Sequence, residues 1–183
     1  MSPRRPVLDW TLFTTWFLMA AGVASAKTFL TVDAALAQVY PGAEVERTTV
    51  FLDREQSKRV AQLAGTKLTS DVVYPYEIRH GGKQVAVVFF DVHRVRTLPQ
   101  TLMVALAMDG TVAAVEVLAF TEPEDYLAPG RWYDRFGGWV LSDELRVGRG
   151  VDGITGATLT ARATTDSVRR MAALFHVLYG GAP

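Results

Sequence analysis

Two glycine-marked turns constrain this chain more than any other feature. Val72 to Arg79 and Lys83 to Asp91 flank His80-Gly81-Gly82, and Leu102 to Met108 and Thr111 to Phe120 flank Asp109-Gly110. Gly-Gly and Asp-Gly supply the positive φ angles that tight hairpins require, and the flanking runs are rich in β-forming residues. The spacing predicts two hairpins and hence a largely antiparallel sheet of at least four strands. Pro75 removes a ladder donor from the first run, which predicts an edge position or a bulge there.

Helical signals flank this sheet. Thr31 caps a short helix running to Val39 and stopped by Tyr40-Pro41-Gly42. Thr48 to Leu52 reads as a short strand. Asp53 with Gln56 forms a capping-box pattern for a helix closed by Gly65, with Val60, Leu63 and Ala64 on its apolar face. Near the end of the chain, Val168, Met171, Ala172, Phe175 and Leu178 recur at helical spacing before Gly180-Gly181, and Thr160 or a neighbour is the expected cap. Strands in the middle with helices at both ends make an α+β domain. Its length of 183 residues suits one core. Glu122 to Gly138 reads as an irregular aromatic loop carrying Tyr126, Trp132, Tyr133 and Phe136, the kind of segment that lines sites.

Residues 1–26 read differently. Arg4 and Arg5 precede an apolar run from Trp10 to Val23, followed by Ala24-Ser25-Ala26, a small-x-small pattern. This predicts an export signal or a retained membrane-anchor helix, with residues 27–183 forming the domain on the outer, periplasmic side of the membrane. Composition narrows the chemistry. The absence of cysteine excludes disulfides, thiolate nucleophiles, iron-sulfur ligation and CxxCH haem attachment. His80, His93 and His176 lack metal-site spacing, so no metal centre is expected. Basic and acidic residues both number 19, so there is no net field to attract nucleic acid.

The segment Gly148-Arg149-Gly150-Val151-Asp152-Gly153-Ile154-Thr155-Gly156-Ala157-Thr158-Leu159-Thr160 carries the chemistry. Gly148, Gly150 and Gly153 match GxGxxG, but a dinucleotide fold needs a further parallel strand with an acidic end, and the 30 residues after Gly153 read as one helix. No Gly-Lys-Ser or Gly-Lys-Thr is present, which excludes a P-loop. A glycine-rich turn with several hydroxyls at a helix start remains. Free amides and the helix dipole there favour an anionic oxygen, so the turn reads either as a phosphate site or as a plain helix cap. Gly156 and Ala157 leave room beside the Thr158 hydroxyl, and Asp152 is close enough in sequence to orient or deprotonate it.

Asp152-Gly153-Ile154-Thr155-Gly156-Ala157-Thr158 resembles, at every specified position, the D-x-x-[S/T]-G-A-[T/S] flavinylation motif of the FMN-binding domain family. That family includes the FMN-carrying subunits of the sodium-pumping NADH:quinone reductase and of the Rnf complex, and exported single-domain relatives. The resemblance extends more loosely over Pro41 to Leu178; Leu127-Ala128-Pro129-Gly130-Arg131 replaces the Thr-Pro-Gly-Leu-Gly stretch of the pump subunits. It implies that a Mg-dependent flavin transferase moves FMN from FAD to the hydroxyl of Thr158, forming a phosphoester. The amides of Leu159 and Thr160, with Arg162, are then expected to offset the phosphate charge, and Tyr126 and Trp132 to contact the flavin ring. The function implied is extracytoplasmic electron transfer as a subunit or partner of a membrane redox complex, and a carrier rather than a stand-alone enzyme. Two alternatives stay open: a flavin-dependent reductase using His93 or Tyr126 as proton donor, and a non-redox assembly subunit.

Overall fold

A computed structural model of the protein describes residues 27–180; the signal or anchor expected over residues 1–26 lies outside the described residues. After a short strand, β1 (Lys27–Thr28), the Thr31 side chain accepts a hydrogen bond from the Ala34 amide and starts α1 (Val32–Val39). β2 (Glu44–Arg47) and β3 (Val50–Phe51) follow. Asp53 then accepts from the Gln56 amide at 2.8 Å while the Gln56 side chain accepts from the Asp53 amide at 3.0 Å, so the expected capping box opens α2 (Arg54–Ala64). Gly65, at a φ of 76°, closes it.

Pro75 does what its missing N–H dictates. It separates β4 (Val72–Val73), which pairs only with β3, from β5 (Tyr76–His80). The first predicted strand is thus two strands. β5 is not an edge, since β2 covers its outer side, and the irregularity expected nearby appears as a register shift between Ile78 and Arg79. β6 (Lys83–Arg94), β7 (Pro99–Ala107) and β8 (Val112–Phe120) complete an antiparallel sheet in the order β1-β8-β7-β6-β5-β2. Gly81-Gly82 and Asp109-Gly110 make the two predicted turns, with Asp109 accepting from the Thr111 amide.

Beyond β8 the chain winds through a helical turn at Glu124–Tyr126, α3 (Gly130–Tyr133) and a further turn at Asp134–Phe136, and ends in α4 (Thr158–Tyr179). The period of two along the strands sorts side chains into two cores. On one face Val87, Phe89, Leu102, Val104 and Leu106 pack with Val60, Val168, Met171 and Phe175 of α2 and α4. On the other, Ile78, Ala86, Val88, Met103 and Leu118 pack with Ala35 and Leu36 of α1. The fold is the expected α+β arrangement, with helices on both faces of the sheet. Among the described residues no helix is long and apolar enough to cross a membrane.

α4 departs from a simple amphipathic helix. Its predicted apolar face is buried through Phe175, but so are Thr160, Thr164, Thr165, Ser167, Arg169 and Arg170. The reason is its position: the sheet packs on one side, while α2 and the segment after Phe136 close over the rest. Arg169, 1% exposed, donates to the carbonyl oxygens of Ala64, Leu63, Leu145 and Ser142, so it both caps the C-terminus of α2 and ties down the segment before the glycine-rich turn.

Candidate functional site

The glycine-rich turn is held to the body of the domain from below. Trp132 is buried against Tyr133 and Phe136, edge to face at 5.3 and 5.1 Å, and its indole N–H donates to the backbone carbonyl of Asp152 at 3.1 Å. Arg135 donates to the Asp152 carboxylate at 3.0 Å. Gly156, at a φ of 85°, then reverses the chain in a conformation that residues with a Cβ rarely adopt, and α4 begins two residues later.

Thr158 is the first residue of α4 and is exposed. Its hydroxyl donates to the Ile154 carbonyl at 3.2 Å, which fixes the oxygen at the rim of the turn. The expectation that Thr160 or a neighbouring hydroxyl caps this helix is overturned. Ala157 stands at the cap position with no side-chain bond, and the buried Thr160 hydroxyl donates instead to the Tyr126 carbonyl. The physical reason is that Thr160 lies inside the first turn on its inward face, where its hydroxyl donates to a nearby loop carbonyl instead of accepting from a first-turn amide. The consequence is that the first-turn amides of Thr158, Leu159 and Thr160 have neither an intrahelical acceptor nor a side-chain cap.

Above them lies a cavity of about 180 Å³ lined by Val95, Arg96, Tyr126 and the Gly156 to Thr160 backbone and side chains. Arg96 donates to the Tyr126 hydroxyl at 3.2 Å and sits 5.8 Å from its ring centroid. Tyr126 and Thr158 therefore line the same cavity. Trp132 does not line this cavity; only its N–H reaches the motif. The carboxylate of Asp152 is directed to Arg135, not to the Thr158 hydroxyl, and Thr155 is exposed on the turn. Arg162 is exposed one turn further along α4.

A clamp that sequence reasoning passed over fixes the far wall. The Glu122 carboxylate accepts from three successive amides, Arg96 at 3.2 Å, Thr97 at 2.6 Å and Leu98 at 2.7 Å. Burial works against its charge, but these amides hold the carboxyl below its usual range. The run Arg96-Thr97-Leu98 carries no motif, and only the tertiary fold brings Glu122 to it.

A buried polar chain links β6, β7 and α4. Asp91, on the α4 face of β6, accepts from His93 Nδ1 at 3.0 Å, from Ser167 Oγ at 2.6 Å and from Arg170 Nη2 at 2.6 Å. Burial raises its pKa, but the His93 hydrogen bond, the Arg170 charge and Ser167 outweigh this and bring it down to about 2. His93 Nε2 meets the Gln100 side-chain amide at 3.3 Å, and Gln100 donates to the Tyr133 hydroxyl at 3.2 Å. His93 thus belongs to this chain and not to the wall of the Thr158 cavity. Among the described residues no group of histidines, acids or cysteines is arranged to hold a metal.

Comparison with known proteins bears on what this site holds. A search of curated proteins returns no match. Residues 98–173, from β7 through most of α4 and including the whole Asp152 to Thr158 motif, match the family model of the FMN-binding domain. This part of the chain is similar to an FMN-binding domain, which supports flavin binding here.

Proposed function

We propose that the domain carries FMN esterified through its phosphate to Thr158 and relays electrons on the outer side of a membrane. The observation that carries the reading is that the last residue of the motif presents an exposed hydroxyl at the uncapped start of α4. A phosphate there would be held by the amides of Leu159 and Thr160 and by the positive end of a 22-residue helix. These donors and the Tyr126 wall fit the group. FMN supplies one- and two-electron redox chemistry when bound.

The protein's own residues do the rest. Ile154 orients the Thr158 hydroxyl, Trp132 and Arg135 hold the turn, and Tyr126 with Arg96 offers an aromatic face and a positive charge beside it. At about 180 Å³ the cavity is smaller than the roughly 300–1,000 Å³ of sites that retain small molecules by burial. A cavity this small would enclose only part of FMN, which a covalent tether would keep in place. Attachment joins the Thr158 oxygen to the FMN phosphorus of FAD and releases AMP, with the hydroxyl proton going to solvent through a flavin transferase.

The outer location rests on Arg4 and Arg5 ahead of the apolar run Trp10 to Val23. A membrane redox complex is the corresponding partner, because a flavin only partly enclosed by a cavity this small would be open to exchange with a docked protein. The test is expression with and without a flavin transferase, followed by denaturing electrophoresis and in-gel fluorescence. The wild-type band fluoresces only with the transferase, and Thr158→Ala stays dark. A dark wild-type band alongside a fluorescent control substrate overturns the covalent reading, and protease resistance of the domain in spheroplasts overturns the location.

A further inference from the structure

β5 pairs with β6 only from His80 opposite Lys83 to Tyr76 opposite Val88. From Phe89 to Arg94, β6 keeps β7 on one side and, among the described residues, has no strand on the other. The chain between α2 and β4 passes this open edge at a distance and leaves a cleft of about 660 Å³. Its polar lining is Lys67, Thr69, His93, Arg94, Thr97 and Arg170, and Leu98 and Pro99 give it an apolar side.

Three permanent cations, Lys67, Arg94 and Arg170, line the cleft and no carboxylate does, while both ring nitrogens of His93 are already engaged by Asp91 and Gln100. Asp91, behind Arg170, neutralises one of those charges through Nη2 at 2.6 Å. Arg170 is only 7% exposed, and its Nε has no hydrogen-bond partner. A guanidinium carries five N–H donors, so most of this one's capacity is unspent in a setting where unspent donors are costly. The cleft shares no lining residue with the Thr158 cavity; the Arg96 to Leu98 turn held by Glu122 stands between them.

We propose that this cleft is a binding site for a small organic oxyanion, a carboxylate or phosphate monoester on an apolar body. Arg170, Arg94 and Lys67 hold the oxyanion, and Leu98 and Pro99 take the body. The volume lies within the roughly 300–1,000 Å³ of small-molecule sites, which an inorganic ion alone does not fill. The site is independent of flavin attachment.

The test is calorimetric titration of the full, unflavinylated chain in a chloride buffer with phenyl phosphate, benzoate and, as a neutral control, benzyl alcohol. Saturable binding of one or both anions and none of the alcohol is expected, the tighter anion naming the oxyanion. The double variant Lys67→Gln/Arg94→Gln, altered only at exposed positions, weakens binding about tenfold or more at an unchanged melting temperature. Arg162→Gln, beside Thr158, leaves it unchanged. Absence of saturable binding to either anion, equal binding of benzyl alcohol, or full affinity in the double variant overturns the proposal. Thr158→Ala binds as wild type does, so failure of the flavin reading and failure of this one are separable.

Discussion

Asp91→Asn isolates the buried charge cluster that anchors α4 to the sheet. The substitution keeps the shape and the acceptor oxygen facing His93 and Ser167 but removes the charge that pairs Arg170 at 2.6 Å. The wild-type carboxyl titrates at about 2 in the folded protein against 3.8 as its ordinary value. A depressed carboxylate contributes stability that is present above its unfolded pKa and is lost as pH falls through the folded value. At 1.36 kcal/mol per pKa unit the charge is worth roughly 2 kcal/mol at neutral pH. Removing one member of a buried pair generally costs about 3–5 kcal/mol, because the other charge is left alone. The variant is therefore expected to lose about 2–4 kcal/mol at pH 7. For a chain of this size that lowers the melting temperature by about 4–16 °C. Urea unfolding of both proteins, followed by far-UV circular dichroism from pH 7 to pH 2, measures the difference. The gap should hold down to about pH 4 and shrink by roughly 2 kcal/mol toward pH 2, where wild type itself becomes protonated at Asp91. A gap that is constant across this range would refute the assignment, since the lost stability would then owe nothing to the Asp91 charge.

Two further outcomes follow from buried polar groups. Arg169→Met leaves four carbonyl oxygens without their donor and should destabilise the fold by about 3–5 kcal/mol. Hydrogen exchange should then rise at the C-terminus of α2 and around Ser142 to Leu145 ahead of the rest. Tyr133, pushed up to about 12 by burial, stays protonated when an unfolded tyrosine ionises near 10. The unfolded state then binds fewer protons, so wild-type stability falls as pH rises from about 10 to 12, and Tyr133→Phe flattens that fall in alkaline unfolding curves.

The hairpins, both capped N-terminal helices and the extent of the final helix to Gly180 were legible in the sequence, because each rests on local rules. Gly81-Gly82 and Asp109-Gly110 set their turns through backbone angles, and Asp53 and Gln56 cap their helix across three residues. The split at Pro75 was half legible. Proline's missing donor announced an irregularity, but whether β5 lay at an edge depended on β2, a strand of exposed residues with no periodic signal. Thr158 was legible as a motif position, and it lies within the residues 98–173 that match the FMN-binding domain model.

What surrounds Thr158 was decided elsewhere. Trp132 and Tyr126 are alike as aromatic loop residues in sequence, yet one is a buried strut under Asp152 and the other a wall of the cavity. Thr160 looks like a cap and instead serves Tyr126, while Glu122, in no motif, organises the turn from Arg96 to Leu98. Asp91, His93, Gln100, Ser167 and Arg170 are scattered charges and amides until β6, β7 and α4 pack. Local backbone rules act over a few residues and can be read along the chain. The pairing of a buried polar group depends on which distant partner the packed fold leaves within about 3 Å, and that is settled only in three dimensions.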